Sequence, residues 1–165
     1  MNILIINQPP FNRGDESAHK GLIRTLLKRF PDAKIKVMHE AWLSESYRQY
    51  DVHDERVKYI SEARGAMKFP RFFNHDVYTN HTWLWCWHPI YRWLEQTYKW
   101  ADIVVCAPGG ICMGGFQDWN HLYHLRLAQL FKRPLAYYGR SFGPFPTETE
   151  RNRQFKKISL DMLHY

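Results

Sequence analysis

The sequence predicts an α/β fold: a doubly wound, Rossmann-like parallel sheet with helices on both faces. Three observations predict it. Short apolar runs such as Asn2-Ile3-Leu4-Ile5-Ile6-Asn7 and Ile103-Val104-Val105-Cys106 lack polar/apolar alternation, as strands buried on both faces do. These runs alternate with longer stretches whose apolar residues recur at helical spacing. Several of them run straight into glycine- and proline-rich turns, which in open α/β sheets lie at the carboxyl edge, where ligands bind.

The organising stretch is Ala101 to Gly115. Its first half is a β-branched strand, and its second half is a Pro108-Gly109-Gly110 … Gly114-Gly115 loop. Glycine there admits positive φ and lets a ligand approach the main chain. A helix is expected to start near Asp118, completing a strand, glycine loop and helix.

In chain order, Asn2–Asn7 is the first strand, followed by a loop through Pro9, Pro10 and Gly14. Asp15 sits where a helix N-cap belongs and Glu16 suits the first turn. Leu22, Ile23, Leu26, Leu27 and Phe30 form one helical stripe, and Pro31-Asp32 stops it. Lys34–His39 is the second strand, so residues 1–39 read as a βαβ unit. Leu43–Tyr50 is compatible with a short helix, and Val57–Ile60 is the candidate third strand. Phe69–Asn80 has no clean period, and Trp83, Trp85 and Trp87 alternate before Pro89. Ile90, Trp93, Leu94, Thr97 and Tyr98 then share a helical face that ends near Trp100. After the central strand, Trp119–Phe131 is predicted helical, with Leu122, Leu125, Leu127, Leu130 and Phe131 as its apolar residues. Leu135–Tyr138 is the fifth strand, and residues 139–146 form a second glycine/proline loop. Thr147 is the expected N-cap of the last helix, with Glu150 completing a capping box and Phe155, Ile158, Met162 and Leu163 facing inward. The predicted strand order is 3-2-1-4-5, which brings the loops after strands 1, 4 and 5 to one edge. Those loops carry Asn12–Asp15, Gly109–Gly115 and Arg140-Ser141.

With 165 residues and 45% hydrophobic composition, the chain is expected to form one domain with a real core. A formal net charge of +7 suits anionic partners, and equally suits plain solubility. No run of Lys and Arg is long enough for a nucleic-acid patch, so no nucleic-acid partner is expected. Met1–Asn7 is too short for a signal core and no segment approaches about 20 apolar residues, so a cytoplasmic location is expected. Cys86, Cys106 and Cys112 lack metal-ligand spacing, and Cys106 reads as an inert buried thiol. Asp118, His121 and His124 fall at helical spacing, but such a set needs further ligands with good geometry. An exposed helix start is therefore expected for them, and no metal.

Three segments together resemble the polysaccharide pyruvyl transferase family. They are Asn12-Arg13-Gly14-Asp15-Glu16, the Ala101–Val105 strand with Gly109-Gly110, and Arg133-Pro134 followed by Gly139-Arg140-Ser141-Phe142-Gly143-Pro144-Phe145. The resemblance implies half of a GT-B-like two-domain enzyme. Such enzymes move the enolpyruvyl group of phosphoenolpyruvate onto two sugar hydroxyls as a ketal, for surface polysaccharide biosynthesis. It implies phosphoenolpyruvate as donor substrate, no cofactor, and a saccharide acceptor, free or lipid-linked. The resemblance covers only the N-terminal, acceptor-side half of such proteins. The C-terminal domain is thus an expected partner, and residues 1–165 alone are expected to be inactive. Two other functions fit the residues: half of a GT-B-like glycosyltransferase using a nucleotide sugar, and a non-catalytic carbohydrate-binding module.

Under the family reading, Asp15 is the candidate base and Asn12, Arg13, Gly14 and Glu16 are candidate substrate contacts. Helix capping explains Asp15 and Glu16 equally well. Gly109 and Gly110 would offer backbone N–H groups to a sugar or phosphate, or simply make a tight turn. Arg140 and Ser141 form the preferred polar pair, since a guanidinium forks onto carboxylate or phosphate. The alternative for Arg140 is pairing with Asp118 or a loop carbonyl. The aromatics between Trp83 and Trp100 suit core packing, sugar stacking or a peripheral membrane contact.

Overall fold

A computed structural model describes residues 1–8, 13–39, 52–61, 89–111 and 119–163. Seven strands are described: β1 (Asn2–Gln8), β2 (Lys34–His39), β3 (Val57–Ser61), β4 (Ile103–Cys106), β5 (Gly109–Ile111), β6 (Leu135–Tyr137) and β7 (Arg140–Phe142). Four helices accompany them: α1 (Arg13–Arg29), α2 (Pro89–Trp100), α3 (Trp119–Leu130) and α4 (Glu150–Leu163). None of these helices is long and apolar enough to cross a membrane.

Five strands form one parallel sheet in the order β3-β2-β1-β4-β6, the topology the sequence predicts. Alternate residues of each strand feed two cores, because successive side chains point to opposite faces. Ile3, Ile5, Ile35 and Val37 pack against Leu22, Ile23 and Leu27 of α1. Leu4, Ile6, Val104 and Cys106 pack against residues of α2, α3 and α4, among them Tyr98, Leu122 and Phe155. Helices thus cover both faces, and the sheet is doubly wound.

The amino edge is latched by local polar contacts. The Asn2 backbone N–H donates to Asp102 Oδ2 at 2.7 Å, and Asn2 Nδ2 donates to the Trp100 carbonyl at 3.0 Å. Arg133 donates from Nη1 to the Ala101 carbonyl at 3.2 Å and from Nε to the Phe131 carbonyl at 3.0 Å. Asp102 and Arg133, both in the segments that carry the resemblance, therefore act as clamps on strand starts, far from the carboxyl edge.

Several expectations change. Asp15 is not the N-cap: α1 already begins at Arg13, which puts Asp15 inside the first turn. Phe30 lies beyond the end of α1 and is 40% exposed, and Leu163 is exposed at the end of α4. Thr149, not Thr147, caps α4: its Oγ1 accepts from the Asn152 N–H at 3.1 Å. Glu150 pairs with Arg153 instead of closing a capping box. Thr149→Ala is expected to cost about 1 kcal/mol, read as a shift in the denaturant midpoint, whereas Thr147→Ala should have little effect. The predicted helix over Leu43–Tyr50 and the residues Trp83, Trp85 and Trp87 lie outside the described residues. Trp93, Trp100 and Trp119 pack against the core, and Lys36 Nζ stands 3.9 Å over the Trp100 ring.

Candidate functional site

At the carboxyl edge two strands do not stop. After Cys106 the chain passes Ala107 and Pro108 and becomes β5; after Tyr137 it passes Tyr138 and Gly139 and becomes β7. β5 and β7 pair in parallel, Gly109 opposite Arg140, Gly110 opposite Ser141 and Ile111 opposite Phe142. Gly109–Ile111 of the predicted glycine loop and Arg140–Phe142 of the second loop are therefore a two-stranded extension of the β4·β6 pair. Their sequence has little strand propensity, so this pairing is a tertiary effect.

Gly109 fixes how this extension meets α1. Its φ is +143°, where L residues are rarely found. A Cβ on Gly109 would stand 2.8 Å from Asp15 Oδ1 and 3.0 Å from Asp15 Cγ. The missing side chain is the seat of the Asp15 carboxylate. The carboxylate in the first turn of α1, the glycine main chain of β5 and the backbone of β7 thus meet at one rim.

Of the predicted site residues, Asp15, Gly109, Gly110, Arg140 and Ser141 come together in this way, Arg140 by its backbone position. Gly110 and Ser141 are exposed, and Asp15 and Glu16 are half-buried. Arg13 Nη1 lies 3.7 Å from Glu16 Oε2 one turn along, and Gly14 is exposed at the helix start. Asn12, Gly114, Gly115 and Asp118 lie outside the described residues. The rim offers the Asp15 carboxylate, which accepts, the main chain of Gly110 and the Ser141 hydroxyl, which donates and accepts, a set suited to a polyol; the Gly109 N–H is already given to the Gly139 carbonyl at 3.4 Å.

The helix start at Trp119 is not exposed, contrary to expectation. His121 and His124 are buried, because that face of α3 lies on the sheet. Tyr98 Oη lies 2.7 Å from His124 Nδ1, and Tyr137 Oη lies 3.2 Å from His121 Nε2. Among the described residues no group of three or more His, Cys, Asp or Glu could hold a metal. Cys106 is a buried free thiol.

Sequence reasoning passes over two further residues beside the rim. His19 is one helical turn after Asp15 on α1, and His39 ends β2 opposite Gln8 of β1. Both are buried, and both rings contact Tyr59, His39 stacked at 5.4 Å and His19 edge-on at 6.1 Å. Burial, the repulsion of His39 and that of Lys20 push His19 down to about 3. Burial pushes His39 down to about 4, opposed by the adjoining Gln8 main chain. Both imidazoles are therefore neutral near pH 7. The Asp15/His19 spacing, which places both on one face of a helix, was the available signal.

The fold and the rim define an α/β domain with polar groups gathered at its sheet's carboxyl edge. A family model described as polysaccharide pyruvyl transferase matches residues 12–161, and the chain belongs to that family. No relative is found among curated proteins. Among solved structures the chain is similar to the E. coli heptosyltransferase WaaC with ADP-2-deoxy-2-fluoro heptose, at 12% identity and a TM-score of 0.36. That alignment covers 100% of this chain and 49% of the heptosyltransferase, so the chain spans about half the length of that protein.

Proposed function

We propose that this chain is the acceptor-side domain of a cytoplasmic enzyme that transfers a pyruvyl group from phosphoenolpyruvate to a saccharide, free or lipid-linked. Membership of the family supports the reaction class. The observation that carries the acceptor role is the Asp15 carboxylate seated against Gly109 at a rim shared with Gly110 and Ser141. In the reaction one sugar hydroxyl adds to the phosphate-bearing carbon of the enol phosphate, and a second displaces the phosphate from that carbon with cleavage of its C–O bond, giving the ketal. The methylene takes one hydroxyl proton and becomes a methyl group. Inorganic phosphate leaves with the other proton. Asp15 removes the proton from the first hydroxyl, and the Gly110 main chain and Ser141 hold the sugar in register. Donor binding falls to a second domain, so residues 1–165 alone carry no turnover.

The test is phosphate release from phosphoenolpyruvate by the full-length protein in the presence of acceptor saccharides. Consumption of a nucleotide sugar instead of phosphoenolpyruvate would overturn the reading. So would phosphate release by residues 1–165 alone. In the full-length enzyme Asp15→Asn keeps the shape of the side chain and removes the base. Turnover is expected to fall on the order of 100-fold with little change in acceptor KM, measured by initial rates. Unchanged turnover would return Asp15 to a purely structural role.

A further inference from the structure

The end of β1 holds a residue in a conformation that most side chains avoid. Asn7 has φ 59° and is 1% exposed. Asparagine tolerates this left-handed region better than most residues, yet glycine would occupy it without strain. The side chain is what distinguishes Asn7 from a glycine. Its Nδ2 donates to the His121 carbonyl at 3.2 Å, in the first turn of α3, and stands 3.7 Å from Cys106 Sγ. The His121 ring in turn reaches Tyr137 Oη through Nε2 at 3.2 Å, with the two rings edge-on at 5.8 Å.

The location gives these contacts their meaning. Ile6, Cys106 and Tyr137 stand opposite one another across β1, β4 and β6. They form the last rung of that part of the sheet. Beyond it, β1 leads toward α1 and Asp15, β4 leads into β5, and β6 leads into β7. His121 belongs to the helix that follows β5. A continuous path from Asn7 through the α3 backbone and the His121 ring to Tyr137 therefore joins the roots of all three rim-forming segments. Backbone pairing along this rung fixes the strands, but it does not fix the angle at which α3 enters. The side-chain path does.

We propose that Asn7, His121 and Tyr137 form a positioning network that holds the β5·β7 extension in register over Asp15. None of the three lies in the segments that carry the family resemblance. The network acts through the rim, so these are positioning residues and not catalytic ones. Only its consequence for turnover rests on the proposed function; the placement of β5 and β7 can be read without it.

The experiment is hydrogen–deuterium exchange on the full-length protein with Tyr137→Phe and Asn7→Gly. Tyr137→Phe keeps the ring and removes one hydroxyl; Asn7→Gly keeps the left-handed backbone and removes the amide. In each, amides of Gly109–Ile111 and Arg140–Phe142 are expected to exchange about tenfold faster, with those of β2 and β3 unchanged. An equal rise across the whole sheet would show general core packing and overturn the proposal, as would unchanged exchange at β5 and β7. If Asn7→Gly is silent and only Asn7→Ala acts, backbone strain explains Asn7 and the network fails. In an enzyme that releases phosphate, Tyr137→Phe is expected to raise acceptor KM about tenfold more than it lowers kcat. A wild-type protein that releases no phosphate overturns the proposed function alone, and the exchange result still decides the network.

Discussion

Gly109→Ala is expected to destabilise the protein by about 3 kcal/mol or more and to open the rim. Two costs combine. At φ +143° an L side chain meets backbone strain of about 1–3 kcal/mol. The new Cβ would also stand 2.8 Å from Asp15 Oδ1, a contact that forces the carboxylate or the start of α1 to move. The two costs can be separated. In an Asp15→Ala background the carboxylate is gone and only the backbone strain remains, so Gly109→Ala should cost about 1–2 kcal/mol less there. Urea unfolding of the four proteins of this cycle gives the coupling directly. A coupling near zero would mean that Asp15 does not rest on Gly109, and the geometry of the rim would have to be abandoned.

The second large effect is loss of stability in mild acid. His19 and His39 are neutral in the folded protein, at about 3 and about 4, but the unfolded chain protonates near 6.5. Between those values the unfolded state binds more protons, so stability falls as pH falls. It is full above about pH 6.5 and declines through pH 5 until the folded imidazoles themselves titrate. At pH 5 each histidine is expected to have removed about 2 kcal/mol, so the pair removes about 4 kcal/mol. The half-buried pair Asp54–Arg56 acts in a different window. Hydrogen bonds from Arg56 hold the Asp54 carboxyl at about 2, so any loss there begins only below its ordinary 3.8. Urea unfolding from pH 7.5 to 4.5 checks the prediction. His39→Phe, which keeps a ring to stack on Tyr59, should remove close to half of the slope. A flat profile between pH 6.5 and 5 would mean that neither imidazole is sequestered.

These two residue sets also show how far the sequence could be read. The strands and their order were legible because an apolar run without alternation has few other places to go than the middle of a parallel sheet. β5 and β7 were not legible. Gly109-Gly110-Ile111 and Arg140-Ser141-Phe142 carry no strand pattern, and they pair because β4 and β6 deliver them side by side. The α4 cap shifted by two residues, and α1 begins two residues before its expected cap, since a cap depends on where the preceding chain turns as well as on residue type. The buried histidines were illegible for a further reason. Histidine at helical spacing looks alike on a wet face and on a packed one, and only the neighbours decide. His121 and His124 lie against the sheet with Tyr137 and Tyr98 as partners, whereas His19 and His39 lie around Tyr59.

By itself the sequence determined the layered α/β architecture, the family, and the edge of the sheet at which the unusual loops gather. It could do so because hydrophobic period and glycine placement are local properties of the chain. The tertiary structure alone decided that Asp15 occupies the place of a Gly109 side chain, that Gly109–Ile111 and Arg140–Phe142 are paired strands, and that Asn7 reaches α3. Each of these depends on groups that are remote in sequence and are brought within about 3 Å only when the sheet closes.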